Sequence, residues 1–169
     1  MFKKSTFFMR VIIVLLGLAV VVPVGILVVK FAVFLIGAMG HMREWTLSEF
    51  YVLELLFGVA LISAMIPFFM ALYQTMKLLD FIDNKETFSE KSVKALTIIK
   101  NCAIAIFALY MVGIMPTACY FVIYTKFSSG IIMWSAFALI PLAIAVFASM
   151  LANLIKEAIE IKSENDLTI

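Results

Sequence analysis

Chemistry-bearing side chains are scarce in this sequence. Among 169 residues there is one histidine, and there are two cysteines. His41, with Arg43 and Glu44 nearby, has no second imidazole or thiolate to complete a metal site. The chain also lacks a glycine-rich phosphate loop, a paired-histidine helix and a nucleophile elbow. We therefore expect no catalytic residues, no metal and no cofactor, and a protein that is not an enzyme. Cys102 and Cys119 fall in one apolar stretch, about 25 Å apart along a helix, beyond disulfide reach. Net charge is only +2, which gives no electrostatic reason to bind nucleic acid directly.

Apolar side chains are abundant instead. They fill 65% of positions, charged residues only 14%, and mean hydropathy is +1.15. Soluble domains carry about 45–50% apolar and roughly 25% charged residues. A chain this long cannot hide so much apolar surface from water, so its solvent is lipid. Four runs approach the roughly 20 residues needed to cross a bilayer: about 7–33, 50–73, 97–124 and 131–155. The first, VIIVLLGLAVVVPVGILVV, is too long for a signal-peptide core and is followed by no small-x-small cleavage site, which marks a retained anchor. The expected fold is all-α: a polytopic membrane protein with four transmembrane helices in an antiparallel bundle.

Ten of the thirteen Lys and Arg residues fall in the N-terminal arm, the connection at 74–100 and the tail at 156–169. Lys30, Arg43 and Lys126 alone fall on the other side. Positive charge is retained in the cytoplasm, so the expected localisation is the cell membrane, with both termini cytoplasmic. On the outer side, Phe31 to Met39 either extends the first helix or lies along the interface. Trp45, Tyr51 and Trp134 suit interfacial anchors, and TKFSSG a tight hairpin. Pro23, Pro67, Pro116 and Pro141 place one kink in each span. Ala138, Pro141, Ala145, Ser149 and Ala152 form a small-residue stripe, suited to packing inside the bundle or to a homo-oligomeric seam.

The second span does not stop at the headgroups. Leu78, Phe81 and Ile82 continue a helical apolar face, with Lys77, Asp80 and Asp83 on the remainder, until Asn84-Lys85. The third helix then opens with either Thr87 as cap and Glu90 reaching back, or Ser89 as cap and Phe88 stapled on Val93. In the tail, Ile155, Ile159 and Ile161 are interleaved with Lys156, Glu157, Glu160 and Lys162. These patterns predict cytoplasmic helical extensions, with the tail packed across the connection at 74–96. The bland alternative is a solvated hairpin.

The combination DFIDNKETFS at 80–89, LTII at 96–99 and ENDLTI at 164–169 resembles the bacterial four-helix membrane family called "domain of unknown function 2975". The resemblance covers nearly the whole chain and implies the four-helix topology. Genes of that family often neighbour small Cro/C1-type helix-turn-helix regulators, which implies a cytoplasmic protein partner. We accordingly expect, besides membrane lipid, a regulatory or scaffolding role through Asp80, Asp83, Asn84, Phe88, Lys91, Lys94, Glu164, Asn165 and Asp166. The competing class is a transport or immunity protein that binds an ion, lipid or membrane-active peptide within the bilayer. For it Glu54 is the candidate, a carboxylate inside the second apolar run, where an interfacial structural role is the alternative.

Overall fold

The computed structural model describes residues 2–40, 49–84, 86–125 and 129–166. Among these residues there is no strand, and almost every backbone group closes a helical hydrogen bond, as a chain surrounded by hydrocarbon requires. The helices are α1 (Phe2–Gly40), α2 (Glu49–Asp83), α3 (Glu90–Leu109), α4 (Met115–Thr125) and α5 (Ser129–Asp166). A π-helical turn, Tyr110–Ile114, joins α3 to α4 into one rod. Four segments are long and apolar enough to span a membrane: Thr6–Gly37, Val52–Asp83, Glu90–Tyr120 and Ser135–Glu164. His41, Arg43, Glu44, Trp45, Lys85, Lys126 and 167–169 lie outside the described residues, as do the side chains of Lys3, Lys4, Tyr51, Trp134, Asn165 and Asp166.

Helix α1 runs unbroken to Gly40, so Phe31 to Met39 extends it. Its 39 residues make a rod of about 58 Å. Arg10 and Lys30 bracket an uncharged stretch of about 30 Å, one hydrocarbon thickness. Helix α1 packs chiefly on α2 and exposes most of its apolar side chains, among them Phe7, Leu15, Val22 and Ile36. In lipid that exposure carries no penalty.

Helix α3 is the centre of the bundle and packs on α2 and α5. Its face toward them buries Val93, Ala95, Leu96, Ile99, Cys102 and Ala103. The small-residue stripe of α5 faces inward: Ala138, Ala145 and Ala152 are buried, with Ala148 beside them, and Pro141 and Ser149 are half-buried. Small side chains let the two backbones approach where no hydrophobic effect drives them together. The π turn serves the same end on the α2 side. A Cβ on Gly113 would collide with Ala60, and it would stand 3.2 Å from the Leu56 carbonyl. Pro116 supplies no N–H to its preceding turn, and the Met115 amide instead bonds the Tyr110 carbonyl, five residues back. The Thr117 hydroxyl lies 3.0 Å from the Gly113 carbonyl and 3.3 Å from the Leu53 carbonyl on α2, and donates to one at a time.

Candidate functional site at the terminal end of the bundle

Antiparallel packing brings the start of α1 and the end of α5 to one end, where α2 ends and α3 begins. Val93, Leu96 and Ala152 form a buried cluster with Leu78, Ile155 and Ile159 packed against it. The extensions thus share a core of their own, in which Ile159 at the start of the tail packs with Leu78, Val93 and Leu96 of the connection. Helix α2 closes with the Glu86 amide on the Phe81 carbonyl at 2.8 Å, the six-to-one bond of a Schellman ending. Ser89, in extended conformation (φ −137°, ψ 155°), caps α3, and its hydroxyl accepts from the Ser92 amide. Of the two cap assignments open from sequence, Ser89 is the one formed. Its companion staple is not: Phe88 is 65% exposed, while Val93 is buried in the shared core. Ser92 is fully buried, and its hydroxyl donates to the Glu86 carbonyl at 3.3 Å, which pins the turn to the helix.

Two charged groupings flank this core. On one face of α2, Arg10 of α1 donates through Nη2 to Asp80 Oδ1 at 2.8 Å and to Asp83 Oδ2 at 2.6 Å. Asp83 is the more enclosed carboxylate, its side chain 18% exposed against 54% for Asp80. The second oxygen of Asp83 is buried and has no hydrogen-bond partner among the described residues. On another face, α2 and α3 enclose a cleft of about 280 Å³. Lys77, Lys91 and Lys94 line it, together with Gln74, Phe81 and Ile98. Lys91 also reaches Glu86 at 3.2 Å across an exposed surface. A second cavity, about 170 Å³, lies between α1 and α2 near the other end of the bundle, with Lys30, Glu54, Phe31 and Gly58 on its wall. Phe31 lies over Gly58, where any Cβ would strike its ring. Among the described residues no three of His, Cys, Asp and Glu stand close enough to hold a metal ion.

A family model described as "Protein of unknown function (DUF2975)" matches residues 37–169. The chain belongs to the DUF2975 family. It is similar to the Bacillus subtilis (strain 168) "Uncharacterized membrane protein YoaS", 39% identical over 168 residues that cover 99% of each chain. No solved structure matches. The four spans and the name of that relative agree: this DUF2975 protein is a multi-pass membrane protein.

The residues singled out from sequence do not form one patch in this DUF2975 chain. Asp80 and Asp83 are engaged by Arg10. Lys91 and Lys94 belong to the cleft with Lys77. Asn84 and Phe88 stand exposed at the turn, and Glu164 is exposed on the α5 extension. Glu54 is half-buried and shares its cavity with Lys30. Sequence reasoning overlooked Arg10 as a partner of the aspartates, and Lys77 and Gln74 as walls of the cleft. The signal for the cleft was present: positions 74, 77 and 81 recur at three- and four-residue spacing on one helical face.

Proposed function

We propose that this protein is a membrane-anchored regulatory scaffold, with both termini cytoplasmic, that holds a soluble protein partner at the inner face. One observation carries the reading. The helical extensions share a packed core, yet the turn above it presents Phe88, 65% exposed, and Asn84 to water. Aromatic side chains, Phe included, are enriched at protein interfaces. On the α5 extension exposed Glu157, Glu160 and Glu164 outnumber exposed Lys156 and Lys162, so the complementary partner surface carries a small excess of basic charge. A small helix-turn-helix regulator meets that description, since DNA-binding surfaces are rich in Lys and Arg. Such a scaffold works by sequestration and requires no catalytic centre.

The test is recovery of a helix-turn-helix regulator with the full-length chain from detergent-solubilised membranes. Recovery should fall by about tenfold for Phe88→Ser, equivalent to an anchor worth about 1.4 kcal/mol. It should fall further when residues 164–169 are removed. Capture of the same partners by all three forms would overturn the reading.

The cavity beside Glu54 favours the second class, an intramembrane ligand site used in transport or immunity, because it places a carboxylate and Lys30 on one apolar wall. Ionisable groups inside a membrane span are costly and are commonly functional. Glu54→Gln separates the two readings: loss of the cellular phenotype with normal insertion and unchanged partner capture selects the intramembrane site.

A further inference from the structure

We propose that the three-lysine cleft between α2 and α3 binds the headgroup of an anionic phospholipid from the leaflet at the terminal end of the bundle. The proposal concerns a different surface from the Phe88 turn and goes beyond the scaffold reading.

Four observations carry it. The cleft is concave, at about 280 Å³, and lies between two packed helices. Lys77, Lys91 and Lys94 bring three ammonium groups to it, and all three side chains are exposed. Its apolar wall, Phe81 and Ile98, suits the glycerol and first methylenes of a lipid rather than a fully hydrated ion. Its level is that of the headgroups. Along α2 no charge occurs between Glu54 and Lys77, about 35 Å apart in rise, so Lys77 stands near the hydrocarbon edge. Along α3 the last charged residue before the uncharged run is Lys100, with Lys94 and Lys91 about 9 and 13 Å further out.

The acidic residues nearby offset part of this field. Asp80 and Asp83 share the single charge of Arg10, and Glu90 is exposed one residue before Lys91. Glu86 holds Lys91 only through an exposed contact at 3.2 Å, which a phosphate can displace because such surface pairs are weak. Basic pockets between membrane helices at this level recognise anionic headgroups by the same chemistry. A phosphate would sit among the ammonium groups, and the amide of Gln74 offers a donor to a headgroup hydroxyl.

The experiment is native mass spectrometry of the full-length chain in detergent, with phosphatidylglycerol and phosphatidylcholine added in equal amounts. Each lysine near an anionic headgroup contributes about a fivefold preference. The anionic lipid should therefore be retained at least about tenfold over the zwitterionic one. Lys77→Gln/Lys91→Gln/Lys94→Gln should abolish the preference, and the three Lys→Arg changes should preserve it. Equal retention of both lipids by the natural chain would overturn the proposal, as would a preference that survives the triple Gln variant. Should the triple variant not fold, Lys94→Gln alone decides, with about a fivefold loss expected and none overturning. Soluble glycerol phosphate provides the arm for a free phosphate source. It should fail to displace the lipid at millimolar concentration, and displacement as effective as by the lipid itself would overturn the assignment. Lipid retention is expected to be unaffected by Phe88→Ser, so failure here and failure of the scaffold reading are separable.

Discussion

At the scale of single residues, Arg10 has the largest consequence for its size. One guanidinium nitrogen serves two carboxylates on a neighbouring helix, and the two bonds are unequal. The bond to Asp80 is more than half exposed, so solvent screens it, and Asp80→Asn should cost no more than about 1 kcal/mol. Asp83 is far better enclosed, with one oxygen wholly shielded. Arg10→Ala strands that carboxylate and should cost about 1–2 kcal/mol, allowing for the partial exposure of Arg10 itself. Thermal unfolding of the purified chain in detergent measures both. A double-mutant cycle with Arg10 and Asp83 should show coupling, and strict additivity would contradict the geometry. None of this pairing was legible beforehand. Both aspartates were seen on an exposed helical face, but a partner 70 residues away leaves no local trace. Cap chemistry is local by contrast, and the signals around residues 87–90 led to Ser89 as one of two candidates. The exposed position of Phe88 depends on how the turn folds over Ser92, which periodicity does not encode.

At the scale of elements, the π turn packs tightly on α2. Gly113→Val forces a branched side chain against Ala60 and the Leu56 carbonyl. Overpacking of this kind costs about 1–3 kcal/mol, read as a lowered melting temperature in detergent. Gly113→Ala should be milder, and Ala60→Gly should partly restore it, since the obstruction is the Ala60 methyl. Failure of that rescue would mean that the backbone, not the side chain, sets the spacing. Pro116 announced a disturbance here. It could not announce the form, because the π turn depends on which carbonyls neighbouring helices leave to be satisfied. The alanine stripe of α5 was visible as a stripe, and its inward direction followed only from α3 lying against it. Likewise the apolar run after Lys30 reads equally as helix or interfacial segment, since both present the same composition to lipid.

At the scale of the whole molecule, the four-span architecture was legible because it follows from apolar run length alone. The orientation rests on a different quantity, the side on which Lys and Arg accumulate. It predicts that a cysteine placed at Ser163, in a chain whose Cys102 and Cys119 are replaced by serine, reacts with a membrane-impermeant maleimide only after cells are opened. Asn84→Cys should behave alike. Labelling of either in intact cells would invert the topology and overturn the proposed scaffold role, which requires this face to meet a cytoplasmic partner. At the terminal end α2 continues from Lys77 to Asp83 (about 9 Å) and α3 runs from Glu90 to Lys100 (about 15 Å), which gives the platform its height above the hydrocarbon.

The clamp on α1 also constrains how the molecule is made. Helix α1 carries a guanidinium whose counter-charges are encoded 70 and 73 residues downstream, and it packs chiefly on the helix that supplies them. Until the far end of α2 has been synthesised and inserted, α1 resides in the bilayer unmated. Helix α1 is therefore latched only once α2 is complete, and a chain halted before Asp80 holds that helix without its counter-charges.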